Sequence, residues 1–253
     1  MRFSVTLVSF VFLFCTVLVW AAPVLILYSP YDYDGSLLPS RSLDIRGTGH
    51  SRQSGQYVLK LNGQKILVQP NSAQGAHGVV YRVVDGHYAG AFAKALVSEQ
   101  EIAATKAAGA LLVDGSDDHK QRWAVIRASP GKRLDQTSAY HRVHADRTQC
   151  NALLDHAADV ATREIMAVHS RTRWLHQDPS IDNILFDDGV AHAYLIDWGC
   201  TSQPSRVDER QVRAHVRSAL AQSGICPKGP RDVNVAPFHC PAPVTLKYPP
   251  KPA

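Results

Sequence analysis

The tightest constraint on how this chain can fold lies between residues 176 and 199. His176-Gln177-Asp178-Pro179-Ser180-Ile181-Asp182-Asn183 is followed, fourteen residues after Asn183, by Asp197-Trp198-Gly199. Between them lie two short apolar runs, Ile184-Leu185-Phe186 and Tyr194-Leu195-Ile196, with Asp187-Asp188-Gly189 as a hairpin turn. A fold with this order brings a loop carboxylate, an amide five residues on and a carboxylate after the next strand to one place. Such a set can accept a proton and hold a divalent cation against phosphate oxygens.

The upstream half contains groups that would complete such a site. Ala73-Gln74-Gly75-Ala76-His77-Gly78 lies between two strand-like runs, and Gly75 and Gly78 allow a tight turn whose N–H groups approach phosphates closely. Lys94 follows on the apolar run Ala91-Phe92-Ala93-Lys94. A lysine facing inward from a strand is costly unless it is paired. Glu101, on the helix that follows, and Glu99 are the two available partners.

Local patterns place these groups on elements. Tyr57–Leu61, Asn62-Gly63 and Gln64–Val68 read as a hairpin, because Asn-Gly accommodates the left-handed turn. A second strand pair, Val79–Val84 and Tyr88–Leu96, surrounds Asp85-Gly86. Ser98–Leu112 is Ala-rich and helical, with Ser98 as cap and Glu101 at its third position. Gln121–Arg127 is a further strand. Ser138–Ser170 carries two helical patterns broken near Cys150, and Val207–Ser223 is an amphipathic helix. The Pro-rich remainder, Gly224–Ala253, reads as irregular.

The order of Gly-rich hairpin, strand lysine, helix glutamate, hinge strand, helices, His-x-Asp-x-x-x-x-Asn and Asp-Trp-Gly resembles the protein-kinase-like superfamily over residues 57–200. Asp178-Pro179-Ser180 resembles the loop of aminoglycoside-type phosphotransferases. The run from Glu101 to Gly109 and the short Lys94-to-Glu101 spacing are similar to secreted kinase-like proteins of fungi. The resemblance implies an α+β, bilobal protein-kinase-like fold: a small β-rich N-lobe (57–128), a reduced helical C-lobe (129–225) and a cysteine-stapled tail (226–253). It implies ATP and Mg as cofactors. Gly75, Gly78 and Lys94 would hold the phosphates, with Lys94 oriented by Glu101 (or Glu99). Asp178 would take the proton of an acceptor hydroxyl, and Asn183 and Asp197 would bind magnesium. His176 would brace the catalytic loop, Trp198 would pack between the lobes, and residues 125–130 would form the adenine hinge.

The departures fall on the protein-substrate side. Gln177 replaces an arginine that in many kinases binds a phosphorylated loop, Ser180 stands where serine/threonine kinases carry lysine, and no Ala-Pro-Glu follows Gly199. The expectation is therefore ATP-dependent phosphotransfer to an unidentified hydroxyl, of a protein or a small molecule. The alternative is a pseudokinase-type secreted effector that acts as a binding module.

Composition bears on the compartment. Arg2, the apolar stretch Val5–Val19 and the small residues at Val19-Trp20-Ala21-Ala22 read as a signal peptide (1–22), followed by a polar leader (23–56). This implies secretion with no transmembrane anchor after cleavage. Cys150, Cys200, Cys226 and Cys240 then make an even set with three possible disulfide connectivities. A net charge of +5 suits anionic ligands, but no nucleic-acid motif is present. His141 and His144 lack a zinc-binding pattern and read as solvent-facing, and no Gly-x-Ser-x-Gly elbow supports a hydrolase.

Overall fold

A computed structural model describes residues 55–71 and 79–227. The expected signal peptide, the leader up to residue 54, Gly75, Gly78 and Cys240 lie outside these residues. The chain divides into Met1–His50 and a larger unit, Ser51–Ala253, which carries everything below.

Six antiparallel strands form the N-lobe sheet: β1 (Tyr57–Leu61), β2 (Gln64–Pro70), β3 (Val80–Val83), β4 (Phe92–Ala95), β5 (Leu111–Ser116) and β6 (Arg122–Ile126), in the order β1-β2-β3-β4-β6-β5. The Asn62-Gly63 turn has both residues at positive φ, +50° and +78°. The sheet separates two apolar faces. One is the cluster of Leu59, Leu61, Ile66, Val68, Val83, Ala91, Ala93, Ala95, Trp123 and Val125. The other, containing Val97, Ile102 and Ala124, lies under helix α1 (Glu99–Ala107).

Two expectations here need correction. The helix over Ser98–Leu112 stops at Ala107, and Leu111–Ser116 is the edge strand β5. Gly109 at φ +77° ends the helix, and Leu111, Leu112 and Val113 pack against the sheet. The strand over Tyr88–Leu96 shrinks to Phe92–Ala95, because residues 85–91 are occupied by tight turns.

The chain then enters the C-lobe at Gly131. A Cβ there would lie 2.7 Å from Tyr194 Cδ2, 2.8 Å from Leu185 Cβ and 3.0 Å from the Phe186 backbone nitrogen. Paired bonds between Lys132 and Phe186 (2.8 and 2.7 Å) fix the backbone on that side, so the clash cannot relax through a side chain alone. Gly131→Ala is expected to cost about 1–3 kcal/mol, read as a lower denaturant midpoint at unchanged slope.

The C-lobe consists of α2 (Ser138–Val143), α3 (Arg147–Thr172), β7 (Leu175–His176), β8 (Ile184–Phe186), β9 (Ala193–Leu195), β10 (Thr201–Ser202) and α4 (Glu209–Gln222). The helical break expected near Cys150 falls earlier, at residues 144–146. Asp146 caps α3 through Gln149 N, and α3 then runs unbroken through Cys150 for 26 residues. α4 buries Val212, Val216 and Leu220 in the same core as Leu154, Ala157, Ala161 and Ile165 of α3. Of the three possible connectivities, the structure contains Cys150–Cys226, a link across 76 residues from the start of α3 to just beyond α4. By loop-closure entropy such a link is worth about 4.5 kcal/mol. Cys200 is also disulfide-bonded.

Candidate active site

Three elements converge on Lys94. Its strand is central, paired with Val80 of β3 and Ala124 of β6. Ala93 and Ala95 point into one face of the sheet, so Lys94 points to the other, beneath α1. Only 4% of it is exposed. Its Nζ donates to Glu101 Oε1 at 2.6 Å and to Asp197 Oδ1 at 2.7 Å.

Glu101, not Glu99, is the lysine's partner. The two residues lie about 200° apart around a helix, so only one can face the sheet. Glu101 shares the inner face with Ala104 and Thr105 and is 5% exposed. Glu99 points outward and pairs with Arg122. The rotation of α1 is fixed at both ends of this contact. Ser98 Oγ caps Glu101 N at 3.0 Å, and Gln100 Nε2 donates to Thr201 O at 2.6 Å. The second bond ties the helix to the segment after Asp197.

Burial pushes the Lys94 ammonium toward deprotonation, but Asp197 and Glu101 outweigh it and raise the pKa above the ordinary lysine value. For Asp197, burial favours the neutral acid, yet Lys94 and the Gly199 N–H prevail and hold the carboxyl below its usual range. Lys94 and Asp197 are therefore both charged across the physiological range.

The loop that carries Asp178 is laced to the one that carries Asp197. His176 is 2% exposed, and its Nε2 donates to Ile196 O at 2.9 Å. Burial holds its imidazole below the ordinary pKa, so it is neutral. Ile196 N donates to Asn183 O at 3.0 Å, and Gln177 N donates to Cys200 O at 3.0 Å. Asn183 Nδ2 donates to Asp178 Oδ2 at 2.8 Å and to Asp178 O at 3.2 Å, which fixes the carboxylate and leaves the amide oxygen as a donor to a cation. Asp197 itself sits at φ +57°, a conformation uncommon for residues other than glycine and one often found at functional turns. Trp198 is buried with Ala104 of α1 and Val168 of α3, so it does pack between the lobes, edge-on to His176.

No group of three or more His, Cys, Asp or Glu side chains among the described residues is placed to hold a metal. One carboxylate and one amide suit a magnesium ion whose other ligands are phosphate oxygens and water. Lys94 and Gly199 both bond Asp197 through Oδ1, and its side chain keeps 23% exposure. Gly199 is the close neighbour here: a Cβ on it would lie 3.2 Å from Asp197 Oδ1.

The sequence reading did not name two contributors. Arg133 bonds both Asp135 and Asp182 and so ties the loop between Asp178 and Asn183 to the segment entering the C-lobe. His215 of α4 is buried, and burial holds its imidazole below the ordinary pKa although the Gln177 backbone and Asp178 favour the charged form. His215 had a faint signal as a lone histidine in the apolar stripe of Val212, Val216 and Leu220.

A β-rich lobe with a paired strand lysine, joined to a helical lobe by a hinge, with Asp178, Asn183 and Asp197 on two laced loops, defines a protein of the protein-kinase-like class. The chain belongs to the APH phosphotransferase enzyme family, whose family model matches residues 65–203, more than half of its length. No curated protein is similar enough to this chain to count as a match.

Proposed function

We propose that this protein binds ATP with Mg²⁺ and transfers the γ-phosphate to a hydroxyl acceptor. The observation that carries the reading is the position of Lys94, which touches Glu101 and Asp197 at once. A merely structural lysine would not require two carboxylates from different elements, one of them at the edge of the cleft. On nucleotide binding, Lys94 would turn its charge to the α- and β-phosphates while Glu101 keeps it oriented. Asp197 and Asn183 would hold magnesium, which neutralises charge on the phosphates. Asp178 would accept the proton of the acceptor hydroxyl as its oxygen bonds to the γ-phosphorus and ADP leaves.

Secretion is part of the proposal. The Cys150–Cys226 disulfide supports an oxidising compartment. No helix among the described residues is long and apolar enough to cross a membrane.

Saturating MgATP is expected to stabilise the wild type by about 2–3 kcal/mol at a hundredfold excess over Kd, a thermal shift of roughly 4–12 °C. Asp197→Ala is expected to lose that shift. A wild type that does not respond would sink the nucleotide reading. Binding without transfer to any acceptor would favour the binding-module alternative.

A further inference from the structure

The segment just after Asp197 meets both halves of the site. β10 pairs with β7 in the register Thr201↔His176 and Ser202↔Leu175, and Gln177 N donates to Cys200 O at 3.0 Å. That bond makes Thr201 and His176 a non-hydrogen-bonded antiparallel pair, so both backbone polar groups of Thr201 point away from β7. Thr201 is only 2% exposed, and a buried carbonyl without a donor is costly. Gln100 Nε2 donates to it at 2.6 Å from the exposed first turn of α1. The helix needs such a tie. Nine residues are too few for a helix to persist in water alone. Its buried positions are Glu101, Ile102, Ala104 and Thr105, which bring one large apolar side chain.

We propose that Gln100 is a positioning residue for the reacting groups: its amide docks α1 on the β7–β10 ribbon and so holds Glu101 against Lys94. The kinetic consequence rests on the phosphotransfer reading, but the geometric content stands apart from it. Gln100 directly precedes Glu101, whose own N–H is fixed by Ser98 Oγ at 3.0 Å. A helix start that slips from Thr201 therefore turns the Glu101 carboxylate off the Lys94 ammonium, which it meets at 2.6 Å. The same ribbon carries His176, two residues before Asp178 and edge-on to Trp198. Trp198 in turn packs with Ala104 of α1. The helix, the segment after Asp197 and the strand entering the Asp178 loop thus share one contact surface, and Gln100 supplies a directional bond across it. A glutamine suits the place, because an amide offers an N–H without adding a third carboxylate beside Glu99 and Glu101.

The test compares three variants of the full chain with its cysteines oxidised. Gln100→Leu removes the donor, Gln100→Glu sets an acceptor against the Thr201 carbonyl, and Gln100→Lys keeps a donor on a stem of similar reach. Amide hydrogen exchange is measured first, without nucleotide. The Leu and Glu variants are expected to exchange about fivefold faster in residues 99–107 and 200–202, with β1 and β2 unchanged and the Lys variant close to the wild type. Unchanged exchange in both the Leu and the Glu variant overturns the docking role, and so does a Lys variant as loose as the Leu variant. Turnover of MgATP, with water as acceptor, is then expected to fall about tenfold in kcat for the Leu variant, at a KM for ATP within about twofold of the wild type, and to recover in the Lys variant. A Leu variant with faster exchange but wild-type kcat overturns the positioning role. If the Leu variant does not fold, the Glu and Lys variants carry the same comparison: a difference between them in exchange and kcat supports the role, and equal behaviour overturns it. A wild type with no turnover at all counts against the phosphotransfer reading alone, because the exchange comparison still decides whether Gln100 docks α1.

Discussion

Lys94→Met is expected to destabilise the protein by roughly 3–5 kcal/mol and to abolish its response to MgATP. The substitution leaves Glu101, with a side chain only 6% exposed, and the largely covered Asp197 without their cation. An uncompensated buried carboxylate is the expensive outcome, and the lost attraction is the smaller part. The double variant Lys94→Met/Glu101→Leu should therefore recover much of the loss, since replacing a buried ion pair by packed apolar groups is often close to neutral. Denaturant unfolding of the wild type, both single variants and the double variant closes the cycle. A loss below about 1 kcal/mol for Lys94→Met would show that the triad is not held as described.

The same series has a pH signature. Asp197 is depressed in the folded protein, so its contribution is present above the unfolded value of about 4 and disappears as pH falls through the folded one. Lys94 is raised, so its contribution is present below about 10.4 and is lost as pH rises through its folded value. The difference between wild type and Lys94→Met should be flat from about pH 5 to 9 and shrink on both sides.

Asp178→Asn carries the second large effect, on chemistry and not on stability. Asn183 can still donate to an amide oxygen at this position, so the loop geometry is kept. On the proposed mechanism, what disappears is the proton acceptor. Transfer is expected to fall about 10²- to 10⁴-fold while the MgATP-induced thermal shift stays within experimental error of the wild type. A variant that transfers phosphate at the wild-type rate would remove Asp178 from the role of base. A variant that also stops binding MgATP would mean that the residue shapes the nucleotide site instead.

Much of the fold was legible because it rests on short-range chemistry. Asn62-Gly63 demanded a left-handed turn, Ser98 and Glu101 marked a helix start, and the amphipathic period over Val207–Ser223 marked α4, which Asp208 caps. Where the reading went wrong, local signals were degenerate. The Ala-rich stretch from 102 to 108 continues into the apolar run 110–113 without a change in hydrophobicity, so only Gly109 separated the helix from strand β5. Around Cys150 the helical period was intact, and the actual break at 144–146 is set by the Asp146 cap.

By itself the sequence determined which chemical groups are present and in what order: a strand lysine, a helix carboxylate, Asp178, Asn183 and Asp197 at spacings that let two loops meet. Those facts depend on neighbours along the chain. The tertiary structure alone decided which groups touch. Glu99 and Glu101 are equivalent until α1 is docked, because the alanines behind them do not define one apolar face. The sheet and the Gln100–Thr201 bond select the rotation that sends Glu101 to Lys94 and Glu99 to Arg122. The pairing of Cys150 with Cys226 is of the same kind. Each joins residues far apart in the chain, and only packing sets such distances.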